Sequence, residues 1–265
     1  MLLVMALLIT VIGGAVWLFR SPRNETVLPP VAVVLPSEDK AETQLVPELL
    51  SESAALESVR QALAVRDPAA VAGLMHLASA SAEQVVDFMK SLPEVDGTLE
   101  KMTKMISIND LSLEGVLVDF TKNGQARNRI AFLSRDEDGM WKMDFEAFAR
   151  WSDPPWKEIL GAHTGPATVR VFATPEAYFN GPFGDDSSWR CFGLASPDVE
   201  QILFGYCLIG SPQEEAMLRM LADAPGPVRS ILKLQRKEGG DSRQFEILDV
   251  LSKEWVLKAM PPSER

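Results

Sequence analysis

The sequence predicts an α+β fold carried behind an N-terminal transmembrane helix, and three observations predict it. Met1 to Phe19 (MLLVMALLITVIGGAVWLF) hold no charged side chain. From Ser53 to Leu92 the apolar residues recur with the 3.6-residue period of amphipathic helices. Beyond Ser112 they alternate with polar residues, the period of strands joined by tight turns. Helices first and a meander of strands after is an α+β order, since a parallel α/β sheet needs the two types to alternate.

The first segment, 1–19, is long enough to cross a bilayer. Nineteen helical residues at 1.5 Å each reach about 28 Å, against ~30 Å of hydrocarbon core. A cleaved signal peptide needs small residues at its exit, and here the exit is Trp17-Leu18-Phe19-Arg20. An uncleaved single-pass anchor is the expectation. Arg20 and Arg23 follow it and no basic residue precedes it, which favours a cytoplasmic placement of the rest. The stretch 20–52 holds Pro22, Pro29, Pro30, Pro36 and Pro47 among acidic and small residues, a partly extended linker. A domain on such a stalk suits a role in a bacterial envelope, so an extracytoplasmic placement of the soluble domains is the expectation, against the signal of Arg20 and Arg23. Ala6, Thr10 and Gly14 share one helix face, a spacing that lets two helices approach closely, although composition alone also accounts for it.

The remaining length fits one large domain or two small ones. The net charge is −11 over 265 residues, which disfavours nucleic acid as a partner. The membrane, a protein partner or a second copy of the chain are the partners expected.

The helical block opens at Ser53 to Val65, with Leu56, Val59 and Leu63 on one face. Asp67-Pro68 is an N-cap followed by proline at the first helical position, and predicts a second helix through Leu77. Ser81 with Gln84 is a capping box for a third, reaching Leu92. A short fourth helix is expected over Leu99 to Ile106. Strands follow at Ser112 to Phe120 and Arg129 to Ser134, joined by an Asn123-Gly124 hairpin turn, and then at Met140 to Phe145 after Asp136-Glu137-Asp138-Gly139.

A long first helix, two shorter ones, a meander, and the stretch Gly139-Met140-Trp141-Lys142-Met143-Asp144-Phe145-Glu146 resemble the cone-shaped fold of nuclear transport factor 2 and its relatives. The resemblance covers residues 53–152 and implies a curved sheet wrapped around the first helix. Trp141 to Trp156 also resembles uncharacterised bacterial membrane-anchored proteins with such a domain. Some relatives are enzymes that use a pocket between helices and sheet, pairing an Asp or His base with a Tyr. Residues 53–150 contain no tyrosine, so the resemblance leans toward the noncatalytic members that serve as interaction modules.

Asp153-Pro154-Pro155 marks a junction. Strands are expected at 167–174, 188–195 and 201–209. A helix opened by Ser211-Pro212, with Met217, Leu218 and Leu221 inward, follows, and then strands at 228–236 and 245–251. Three strands, a helix and two strands, ending in Ile247-Leu248-Asp249-Val250-Leu251 with Trp255, resemble an OB-fold, a five-stranded barrel over 166–258. Such barrels bind oligonucleotides through basic grooves lined by aromatics. Here ten Lys/Arg face thirteen Asp/Glu between Thr164 and Met260, and Tyr178, Phe179, Phe183, Trp189 and Tyr206 read mainly as core.

No H-E-x-x-H, G-x-S-x-G, Walker loop or G-x-G-x-x-G occurs, and no cofactor, metal or catalytic residue is expected. Ser134 to Phe145 fails as a calcium loop because its last position lacks a carboxylate. His163 reads as a surface residue. If the first domain holds a pocket, its polar groups are His76, Asp87 and Asp144. Cys191 and Cys207 fall on neighbouring strands of the expected barrel. A shift of a few residues about a turn at Ser196-Pro197-Asp198 would bring them opposite and allow a disulfide; otherwise they pack as two buried thiols. The function these readings support is a noncatalytic membrane-anchored scaffold or protein-binding module. A ligand binder or enzyme using the first-domain pocket, and OB-type recognition of nucleic acid or glycan, are the alternatives.

Overall fold

Residue patterning drives this chain into two mixed sheets of five strands with helices set against each, an α+β fold. The computed structural model describes residues 50–105, 113–222 and 224–257. The expected anchor at 1–19 and the linker up to residue 49 lie outside these. Among the described residues no helix is long and apolar enough to cross a membrane.

Helix α1 (Glu52–Leu63) starts where Ser51 Oγ accepts the Ala54 amide, and it buries Ala55, Val59 and Ala62. Helix α2 (Pro68–Leu74) is capped by Asp67, which accepts from Ala69 N at 3.0 Å. It ends three residues before Leu77, because Met75 and His76 form β1 (Met75–His76), a two-residue parallel bridge to β5 (Trp141–Asp144). Helix α3 (Ala82–Val95) carries the predicted Ser81–Gln84 capping box and turns Val85, Val86, Met89 and Leu92 inward. Of residues 99–106, expected as a helix, 99–104 instead belong to β2 (Thr98–Lys104) and residue 106 lies outside the described residues. Pairing with β3 (Glu114–Lys122) outweighs local helix preference, and a bulge between Leu99 and Lys101 breaks the alternation that would have marked a strand.

The first sheet runs β1-β5-β4-β3-β2, where β4 is Gln125–Arg135. Asn123 and Gly124 both take positive φ, 52° and 75°, as a two-residue hairpin turn requires. One face of this sheet, Val116, Val118, Phe120, Ala131, Leu133 and Met143, packs under the three helices. The other face carries Phe132 and Ile130. Helix α4 (Phe145–Ala149) follows β5 directly, with all five residues buried.

The junction is structured. Asp153 and Thr168 exchange backbone hydrogen bonds of 2.9 and 2.7 Å, and helix α5 (Trp156–Leu160) buries Ile159 against the second core. Strands β6 (Pro166–Glu176), β7 (Trp189–Ala195), β8 (Leu203–Leu208), β9 (Val228–Gln235) and β10 (Gln244–Lys253) close a barrel in the order β10-β8-β7-β6-β9. All neighbours are antiparallel except β8 and β10. Phe192, Leu194, Leu203, Leu232, Leu234 and Ile247 fill it. At Gly205 a Cβ would come within 2.9 Å of the Leu194 and Ile247 methyls, which would have to shift to admit it. Helix α6 (Pro212–Leu221) packs Met217 and Met220 on this core; Leu218, expected inward, is 45% exposed.

Sheet and barrel share a third cluster. Phe132, Leu113 and Ala147 meet Trp255, Val256 and Phe172. Trp255 Nε1 donates to Val171 O at 3.1 Å, and its ring stands edge-on to Phe172 at 4.9 Å. Arg150 makes two 2.9 Å bonds to Asp198 on the β7–β8 loop. Arg129 pairs with Asp96, donates to Phe148 O and Ala149 O at 3.1 Å, and lies 3.5 Å from Asp198. The described residues accordingly belong to one compact unit. Replacing Asp198 with Ala leaves Arg150 and Arg129 short of their charge partner in a buried setting. The expected loss is about 3 kcal/mol, in a single unfolding transition followed by tryptophan fluorescence in urea.

Candidate functional site

The polar interior of the first half is built around the end of β5. The parallel bridge sets His76 beside Asp144 in register, as two of the three expected pocket residues. The third is elsewhere: Asp87 sits on the outer face of α3, its side chain 80% exposed and 3.9 Å from Lys90. His76 Nε2 lies 3.4 Å from Ser134 O. Asp144 is the N-cap of α4, accepting from Ala147 N at 2.7 Å. Burial pushes its carboxyl up to about 6, the Glu146 charge adds to that, and the Ala147 amide and the Arg170 guanidinium hold it back.

Glu146 is the residue sequence reasoning missed. Its Oε1 accepts three successive backbone amides, Ala78 and Ser79 at 2.7 Å and Ala80 at 3.0 Å. Three converging N–H groups bind a carboxylate as they would an anion. The signal available in sequence was an acidic residue amid Phe145, Ala147 and Phe148 in a run buried from end to end.

From the barrel, Arg170 on β6 points at the same region. It is 3% exposed and donates to Trp255 O at 2.9 Å and Trp151 O at 3.2 Å. Desolvation lowers its proton affinity, and the charges of Asp144 and Glu146 oppose that. The cluster therefore reads as two carboxylates and one guanidinium balanced across the contact between sheet and barrel.

The second polar-aromatic feature is the outer face of β7 and β8. The loop after β6 folds back over it, through a 3₁₀ turn at Gly181–Phe183. Phe183 stacks on Tyr206 at 4.0 Å and meets Trp189 edge-on at 4.9 Å; Tyr178 stacks on Phe204 at 4.3 Å. Tyr206 OH donates to Tyr178 O at 2.7 Å and accepts from Gln244 Nε2 at 3.0 Å. Lys237 Nζ lies 4.3 Å over Trp189, and the Arg243 guanidinium 5.9 Å over Phe204. Phe183, Trp189 and Tyr206 are buried, so these aromatics cover one another instead of lining a groove.

The cysteines lie on opposite faces of this wall. Register pairs Cys191 with Tyr206 and Arg190 with Cys207, one residue away from the match a disulfide needs. Cys207 faces the barrel core and Cys191 the aromatic cluster, both as buried free thiols. Burial pushes Cys207 up to about 12 and raises Cys191 as well. The acidic loops are local turns. Asp136 accepts the amides of Asp138 and Met140, and Asp185 accepts the hydroxyls of Ser187 and Ser188 at 2.6 Å. His163, near the junction, has Nε2 3.3 Å from Pro166 O. Two surface clefts enclose about 90 and 150 Å³, the first beside Leu208 and Ser211, the second between Leu63, Met89, Leu99 and Phe120. Ligand pockets usually hold about 300–1,000 Å³. Among the described residues no group of three or more His, Cys, Asp or Glu is placed to hold a metal ion.

Comparison with protein-family models, with curated proteins and with solved structures finds no match to the chain.

Two outcomes are expected of this region. Above about pH 4 an unfolded aspartate is ionised, while folded Asp144 keeps its proton up to about pH 6. The folded state thus binds more protons across that window, and the contribution of Asp144 to stability falls as pH rises through it. Asp144→Asn, still able to cap α4, should flatten that slope and leave stability at pH 7.5 unchanged or higher, as read by urea denaturation at each pH. Thiol labelling should give no reaction at Cys191 or Cys207 in native protein and two labels in denaturant, without prior reduction.

Proposed function

We propose that this chain is a noncatalytic, membrane-anchored scaffold or protein-binding module of the bacterial envelope. The observation that carries the reading is the use made of the interior polar groups. Glu146 Oε1 accepts three amides, Asp144 caps a helix, and Arg129, Arg150 and Arg170 bind carbonyls and carboxylates where sheet meets barrel. Groups held in this way rigidify a platform, and the chain's work then falls to its surfaces.

The finer fold reading has its own support. A closed five-stranded barrel in which the third strand meets the fifth in parallel, with a helix between the third and fourth, is the connectivity expected of an OB-like domain. Three helices laid on one face of the first sheet favour the nuclear transport factor 2-like reading of the first half. Noncatalytic members of the nuclear transport factor 2-like family serve as interaction modules, which is the sense in which the resemblance supports a scaffold.

The test is complementation of a deletion strain. Full-length His76→Ala, Asp87→Ala and Asp144→Asn variants should restore wild-type behaviour, while a chain lacking residues 1–19 should not, despite normal folding by circular dichroism. The full-length chain should stay in the membrane pellet after carbonate washing. Loss of function in His76→Ala or Asp144→Asn with an intact fold would favour the pocket enzyme instead.

A further inference from the structure

We draw no further inference here: the strongest candidate, the apolar cleft of about 150 Å³ that Leu63, Met89, Leu92, Leu99 and Phe120 line between α1, α3 and the first sheet with Arg66 beside it, carries none because nothing in the structure shows what covers it.

Discussion

An arginine buried without a partner costs several kcal/mol, and this fold buries three where its sheet meets its barrel. Arg129 and Arg150 come from the sheet side and converge on Asp198 of the barrel. Arg170 comes from the barrel and reaches back to Trp151 O, between its Trp255 bond and the charges of Asp144 and Glu146. Apolar contact is not directional. These hydrogen bonds are, so they fix how the two halves are oriented while Phe132, Trp255 and Phe172 supply the buried area. Neither half satisfies all of its guanidinium groups alone, and the orientation of sheet against barrel follows from that constraint.

The elements readable in the sequence were those whose cause is local. Capping at Asp67, Ser81 and Ser211, the Asn123-Gly124 turn and the alternation from Trp189 to Leu194 each lie within a few residues, and each is present. What escaped has its cause far along the chain. Residues 99–104 read as a helix because the bulge at Glu100 breaks the two-residue period, and only β3 decides that they are a strand. His76 leaves its helix because β5, some 65 residues later, offers a bridge. The cysteines miss each other by one residue, a matter of loop length that no composition encodes.

The site residues divide in the same way. His76 and Asp144 are neighbours, whereas Asp87 is not with them: on a helix with apolar residues at Val86, Phe88 and Met89, only three-dimensional packing says which way an intervening carboxylate turns. Glu146 was invisible because its partners are main-chain amides, which every residue carries. An unusual residue pattern can advertise a side-chain constellation, but a carboxylate held by backbone has no second residue type to look for.

The long-range character of the sheet–barrel contact bears on the order in which the chain acquires structure during synthesis. The first sheet is complete in sequence by Asp144, yet Phe132 and Leu113 stay uncovered until Trp255 arrives, and Arg150 waits for Asp198. The barrel cannot close earlier, because its parallel seam joins β8 to the last strand, β10. A nascent chain therefore carries an unfinished apolar face through more than a hundred further residues, and Arg150 lacks its carboxylate for nearly fifty. Non-local contacts of this kind form slowly, and exposed intermediates invite wrong pairings. The face carrying Phe132 and Leu113 is the part of the chain that a chaperone would have to shield during that interval.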